Sequence, residues 1–173
     1  MSTHMIRPAK QKDLSSILDI TKACTVDMIY NEIFQWNEHY PNKTVFQKDL
    51  NRKELYVLEV GKKLRGSIVI SDFMDAVYEP IKWIAPTNKN IYIHRLCVHP
   101  KEQGKGYAQA LMNFAEQKAI AEGFNSVRLD TFSLNKRNLV FYIKRGYSQL
   151  ADIYFPMKSS APFHCFELPT KPF

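Results

Sequence analysis

An α/β domain built on a central mixed sheet is what the order of predicted elements implies: a strand, one or two helices, three strands, a helix, a strand, a helix and two closing strands. Two further observations support it. Period-two apolar alternation and helical apolar stripes replace one another over short intervals. Glycines at Gly61, Gly104, Gly106, Gly123 and Gly146 stand where one pattern gives way to the next. Six to seven strands and about four helices fit a single domain spanning residues 1–173, a length able to bury a substantial core.

Taken in order, Met1–His4 reads as a flexible or vector-derived leader, with Met5 the natural start. Met5–Ala9 is the first strand, and Asp13 is expected to cap a helix whose apolar positions are Leu14, Ile17, Leu18, Ile20 and Ala23. Tyr30, Phe34, Trp36, Tyr40 and Phe46 crowd the next stretch, which Pro41 breaks into a connection and a second helical piece. Most of these rings are expected to pack onto the sheet. Leu55–Val60 and Leu64–Ser71 form a hairpin about Gly61-Lys62-Lys63, and Gly66 inside the second strand signals a bulge or a close backbone approach. Asp72–Lys89 is a long connection carrying Pro80, Pro86 and the rings of Phe73, Tyr78 and Trp83.

Ile91–Val98 is the fourth strand, running through His99-Pro100 into a glycine-bearing turn. Leu111, Phe114, Ala115 and Ala119 then line a helix that ends at Glu122-Gly123. Ser126–Phe132 is a strand, Asn135–Arg145 a helix stopped by Gly146, and Tyr147–Phe155 and Phe163–Leu168 are the closing strands.

Composition narrows the class. Hydrophobic residues make up 45% and charged residues 24%, as in ordinary globular proteins. No apolar run approaches the roughly 18 residues of a membrane span, and the first stretch lacks a secretory apolar core, so no membrane partner and a cytoplasmic location are expected. Cys24, Cys97 and Cys165 are scattered, have no metal-binding spacing and read as reduced, packed thiols; no metal site is expected. The net charge of +7 suits a polyanionic ligand. It also suits nucleic acid, but Lys and Arg are dispersed among Asp and Glu instead of clustered beside stacking rings, which disfavours that partner.

The turn Gln103-Gly104-Lys105-Gly106-Tyr107-Ala108 is the most informative stretch. Its glycines permit φ > 0 or close approach of a ligand, and the unpaired amides of the following helix's first turn carry partial positive charge. A phosphate cradle is the reading. Neither a P-loop nor a dinucleotide-binding G-x-G-x-x-G is present. The pattern Gln103, Gly106, Ala108 instead resembles the coenzyme A loop of the GNAT acyltransferase superfamily, with Ala108 where many members have glycine. Arg7-Pro8-Ala9, Leu96-Cys97-Val98-His99-Pro100, the Asn135, Phe141, Tyr142 helix and Arg145-Gly146-Tyr147 match that family in the same order.

The resemblance implies a mostly antiparallel sheet whose fourth and fifth strands splay apart around acetyl-CoA. It implies that the backbone of Leu96, Cys97 and Val98 pairs with the pantetheine arm, as an added strand would. The pyrophosphate falls to amides from Gln103 or Gly104 through Lys105, Gly106 and Tyr107 to Ala108 or Gln109, with Asn135 and Asn138 reaching the pantetheine or phosphate arm. Tyr142 is implied as the acid that protonates the departing thiolate; a phenol of ordinary pKa about 10 can do so. An amide near Val98 is implied as the oxyanion donor. For the base, His94 matches a strand histidine of some relatives and has a suitable ordinary pKa near ~6.5. Asp130 and water are the alternatives, and Tyr92 is placed to orient water. The acceptor, a small-molecule amine or a peptide N-terminus, is expected beside Tyr30, Trp36, Glu38 and Tyr154. A homodimer through the final strands is a further family trait. A non-catalytic acyl-CoA sensor remains the alternative function.

Overall fold

The computed structural model describes residues 3–173. Its elements are β1 (His4–Pro8), α1 (Leu14–Tyr30), α2 (Lys43–Asn51), β2 (Leu55–Val60), β3 (Lys63–Ser71), β4 (Ile91–Val98), α3 (Tyr107–Ala121), β5 (Ser126–Phe132), α4 (Lys136–Lys144), β6 (Ser148–Ile153) and β7 (Phe163–Pro169). The strands are ordered β1-β2-β3-β4-β5-β7-β6. β4 and β5 run parallel, while β1/β2, β2/β3, β5/β7 and β6/β7 are antiparallel. The fold class and nearly every element agree with the sequence reading.

Two details differ. His4 already belongs to β1, pairing with Val60 instead of lying in a loose leader; the expectation for Met1 and Ser2 lies outside the described residues. Asp13 precedes α1 but makes no side-chain cap. Its carboxylate is taken by the Lys10 amide at 2.8 Å and by the Arg7 guanidinium at 2.7 and 3.2 Å, which closes a 3-10 turn over Gln11–Asp13. A charged, two-pronged donor outcompetes a helix amide for the same oxygens.

The chain forms two compact units. One comprises the N-terminal segment up to Glu32, Trp36–Ile70 and Arg95–Phe114; the other comprises Ile33–Gln35, Ser71–His94 and Ala115–Phe173. In the first, Leu14 and Ile17 of α1 and Phe46 of α2 pack with Leu55, Val57 and Val69. The β2–β3 hairpin turns on Gly61 and Lys62, both at positive φ (55° and 65°), the geometry of a two-residue turn that matches strand twist. The register then slips by one residue between Leu58 and Glu59, whose partners are Gly66 and Leu64. Gly66 is required there: a Cβ would sit 2.6 Å from the Cys97 carbonyl oxygen, 3.2 Å from Val98 Cγ2 and 3.3 Å from Leu111 Cδ1. This is the close backbone approach the sequence suggested.

In the second unit α3 ends in a Schellman arrangement. The Phe124 amide donates to Ala119 O and the Gly123 amide to Ile120 O, with Gly123 at φ 70°. Arg145 and Tyr147, which flank Gly146, both grip Glu116 of α3, at 2.5 Å from Arg145 Nη2 and 3.0 Å from the Tyr147 hydroxyl. The Arg-Gly-Tyr signature is therefore a clasp that fixes the C-terminal end of α4.

Replacing Gly66 by alanine forces its neighbours, one of them backbone, to move. The expected outcome is a loss of about 1–3 kcal/mol in urea unfolding, the range for overpacking a filled site; stability equal to wild type would mean that β3 and β4 separate there at no cost.

Candidate active site

In the first unit, β4 runs into a 3-10 turn over Pro100–Glu102 and then into the glycine turn ahead of α3. Gly104 and Gly106 lie at φ 77° and 81°, and nothing stands within 4 Å of a Cβ added at either. What demands glycine is backbone conformation, and the space beside both is open. α3, fifteen residues long, begins at Tyr107, and the amides of a helix's first turn have no intrahelical acceptor. The Lys105 ammonium sits 2.7 Å from Glu102, whose other oxygen takes Arg65 Nη1 at 2.9 Å. Among the described residues, Arg65 Nε is the one buried side-chain nitrogen or oxygen lacking a hydrogen-bond partner.

The carbonyl of Val98 accepts from Cys24 Sγ and from Gln103 Nε2, each at 3.2 Å. Gln103 thus earns its place in the pattern by tying the turn back to the end of β4. Arg95 breaks the pleat of that strand, at φ 49°. Its guanidinium is clamped by Asp49 at 2.9 and 2.6 Å and by the Tyr40 hydroxyl at 3.0 Å. Period two along β4 would set His94 on one face with Tyr92, Leu96 and Val98, and the left-handed Arg95 interrupts that alternation between His94 and Leu96. β4 is registered with β5 only at Ile91 and Tyr92. From there β5 continues alongside β7, through Phe132 opposite Phe163. The parallel ladder between the fourth and fifth strands is thus confined to the first residues of each.

The second unit assembles the candidate acid and bases. Tyr142 of α4 is 5% exposed and packs against Phe166 and Tyr147. Burial, and after it the charge of Asp130, holds its phenol well above the ordinary value. Asp130 accepts a very short hydrogen bond from the Tyr78 hydroxyl. His94 stacks on the same Tyr78 ring, centroids 6.4 Å apart and planes 11° apart, and its Nε2 lies 4.0 Å from Asp75 Oδ2. Tyr78, which sequence reasoning had treated only as a ring covering the sheet, thus touches both candidate bases, and Tyr142 lies within reach of the Asp130 charge.

Other predicted residues take structural parts. The Asn135 carboxamide is committed at both ends, accepting from the Asn138 amide at 3.2 Å as the cap of α4 and donating to Gln35 Oε1 at 3.0 Å. Asn138 donates to Thr131 Oγ1 at 3.2 Å. The Tyr92 hydroxyl accepts from Arg128 Nη1 at 3.1 Å instead of facing a reaction centre. Trp36 is 7% exposed and packs with Ile20, Cys24 and Cys97 as core, whereas Tyr30 and Tyr154 keep exposed rings and Glu38 pairs with His39 on the surface. Cys97 lies 3.4 Å from Ser67 Oγ, a packed thiol as the sequence suggested.

Comparison with known proteins decides the class. The family description "Acetyltransferase (GNAT) family" matches residues 16–147, most of the chain. The chain belongs to the GNAT acetyltransferase family. It is an acyltransferase by that membership. Its fold resembles a protein of Staphylococcus aureus Mu50 provisionally assigned as an acetyltransferase, 28% identical over 96% of this chain and 99% of that one, with a TM-score of 0.75. A GNAT-family acetyltransferase of Streptococcus agalactiae 2603 superposes with a TM-score of 0.82 at 19% identity, covering 97% and 96% of the two chains. The PaiA N-acetyltransferase of Thermoplasma acidophilum, solved in complex with coenzyme A, gives 0.71 at 17% identity over 96% and 99%. Among the described residues no helix is long and apolar enough to cross a membrane, and no cluster of His, Cys, Asp and Glu is arranged to hold a metal.

Within this GNAT member the residues that motif reading missed sit on the 72–89 connection and its anchor. Arg128 and Glu167, fully buried, pair at 2.9 Å. Glu167 also accepts from the Ala85 and Ile84 amides and from Ser126 Oγ. Arg128 donates to Ala85 O, Thr87 Oγ1 and Tyr92, and lies over the Trp83 ring at 4.4 Å. An arginine and a glutamate at alternating strand positions were the available signal, since neither charge can be buried without the other. Arg128→Met is expected to cost about 3–5 kcal/mol, because it strands a buried carboxylate, while Arg128→Met with Glu167→Leu recovers most of the loss. Urea unfolding of both variants checks this.

Proposed function

We propose that the chain transfers the acetyl group of acetyl-CoA to the primary amine of a small acceptor, by direct attack within a ternary complex. The observation that carries the reading is the Gln103–Ala108 turn: two left-handed glycines with open space beside them, leading straight into the first turn of a long helix. The residues present fit the donor. The first-turn amides suit a pyrophosphate, and the backbone of Leu96, Cys97 and Val98 suits the amide-bearing pantetheine arm. Because the Val98 carbonyl already accepts twice, the Val98 amide is the group assigned to the cofactor and the oxyanion. The coenzyme A bound to the PaiA relative supports the same donor. Asn135 contributes by capping α4 and so aiming Tyr142.

In the reaction His94 takes the proton that makes the acceptor amine nucleophilic, and the nearby Asp75 carboxylate favours the resulting imidazolium. Tyr142 donates its hydroxyl proton to the departing thiolate. Burial, and after it the charge of Asp130, makes outright ionisation of that phenol costly, so Tyr142 first acts as a hydrogen-bond donor.

Thiol release from acetyl-CoA against phenethylamine, spermidine, free amino acids and an N-terminal peptide tests the reading. Wild type is expected to turn over at least one of them. Tyr142→Phe should lower kcat by about a hundredfold or more with coenzyme A binding intact. Binding of coenzyme A without thiol release from any amine would favour a sensor, and no binding at all would overturn the proposal. Gly106→Val should weaken coenzyme A binding about tenfold or more through backbone strain, against about two- to threefold for Lys105→Ala. The reverse order would mean that the cradle works by side-chain charge.

A further inference from the structure

We propose that Tyr78 is a positioning residue that keeps Asp130 ionised and aimed, so that Asp130 serves as a fixed anion and His94 is the group that takes the acceptor's proton. The inference rests on the acetyl-transfer reading above and adds to it a residue from outside the family motifs, on the connection before β4.

Tyr78 closes a 3-10 turn over Ala76–Tyr78 and is 1% exposed. A buried hydroxyl needs a partner, and this one donates to Asp130 Oδ2. The ring has little freedom to turn away. It stacks on Tyr92 with centroids 5.6 Å apart and planes 16° apart, stacks on His94, and meets the edge of Trp83 at 5.6 Å. The Trp83 indole in turn donates to the Tyr78 carbonyl at 3.3 Å and is covered by the Arg128 guanidinium. The buried Arg128–Glu167 pair thus holds the phenol against the carboxylate.

The groups that face Asp130 and its partners come from several elements. Tyr78 of the connection donates to Asp130, Tyr142 of α4 and Cys165 of β7, the latter opposite Asp130, feel its charge, Tyr92 and His94 of β4 stack on the Tyr78 ring, and the charges of Asp75, Arg145 and Asp152 act on Tyr78, Tyr142 and Cys165 in turn. Burial and the Asp130 charge keep three neighbours in their protonated forms: Tyr78 and Tyr142 are raised well above the ordinary phenol range, and the Cys165 thiol is pushed up to about 12; of these, Tyr78 donates to the carboxylate. A donor that stays protonated stabilises an anion throughout the working pH range. A carboxylate held in this way is a poor proton acceptor. The imidazole stacked on the same ring, with Asp75 4.0 Å from its Nε2, is the better one.

The test combines carboxyl-carbon NMR titration with kinetics on wild type, Tyr78→Phe, Asp130→Asn and the double variant. The phenylalanine keeps the ring and its stacking, and the asparagine variant assigns the Asp130 signal. In Tyr78→Phe the Asp130 midpoint is expected to rise by about one unit, since a hydrogen bond to the charged form is lost. An unchanged midpoint overturns the proposal, whether or not any amine is turned over, and so separates its failure from that of acetyl transfer. With the amine that wild type turns over, Tyr78→Phe should lower kcat about tenfold and move the acid limb of kcat/KM. Adding Tyr78→Phe to Asp130→Asn should then change neither. If the full Tyr78→Phe effect persists in that background, the Tyr78 hydroxyl acts otherwise than through the Asp130 charge and the proposal fails.

Discussion

The buried pair of Arg128 and Glu167 is the interaction on which the candidate catalytic cluster depends. Two charges without solvent are costly to bury, and here every prong is matched: Glu167 collects two amides, a serine hydroxyl and the guanidinium, while Arg128 reaches a carbonyl, a threonine and a tyrosine. Several of those partners lie between Ile84 and Thr87. The pair therefore pins a connection that has no strand or long helix of its own, and that connection delivers Tyr78 to Asp130 and Asp75 to His94.

Much of the fold was legible in the sequence because local signals agreed with tertiary demand. β2, β4 and β5 fall on the residues their alternation marked, and Gly66, Gly104, Gly106, Gly123 and Gly146 each meet a close contact or a positive φ. The signals failed where a distant partner overrode a local rule. Asp13 reads as a helix cap, but Arg7 claims its carboxylate; His94 and Leu96 read as sharing a face, but Asp49 and Tyr40 hold Arg95 in a left-handed kink between them. Propensity and periodicity cannot register partners 46 or 55 residues away.

The site was legible in a different proportion. Motif residues with backbone roles could be read, because glycine and strand patterns report backbone geometry directly. Side chains were harder, because chemistry depends on what else is buried nearby. Asn135 fits the family pattern and proves to be committed to capping and to Gln35, whereas Tyr78 fits no motif and contacts both candidate bases. Trp36 shows the same ambiguity in reverse, an aromatic that composition alone allows in a pocket and that packing assigns to the core.

β4 is a strand claimed by different partners along its length. Its first two residues are registered with β5, which fixes where the parallel ladder begins. Further along, the chain is claimed from elsewhere: Asp49 and Tyr40 clamp Arg95, the missing side chain of Gly66 admits the Cys97 carbonyl, and Gln103 and Cys24 take the carbonyl of Val98. β5 meanwhile continues its ladder with β7 through Phe132. β4 therefore changes partners at Arg95, where a left-handed residue lets the chain leave one set of partners for the other.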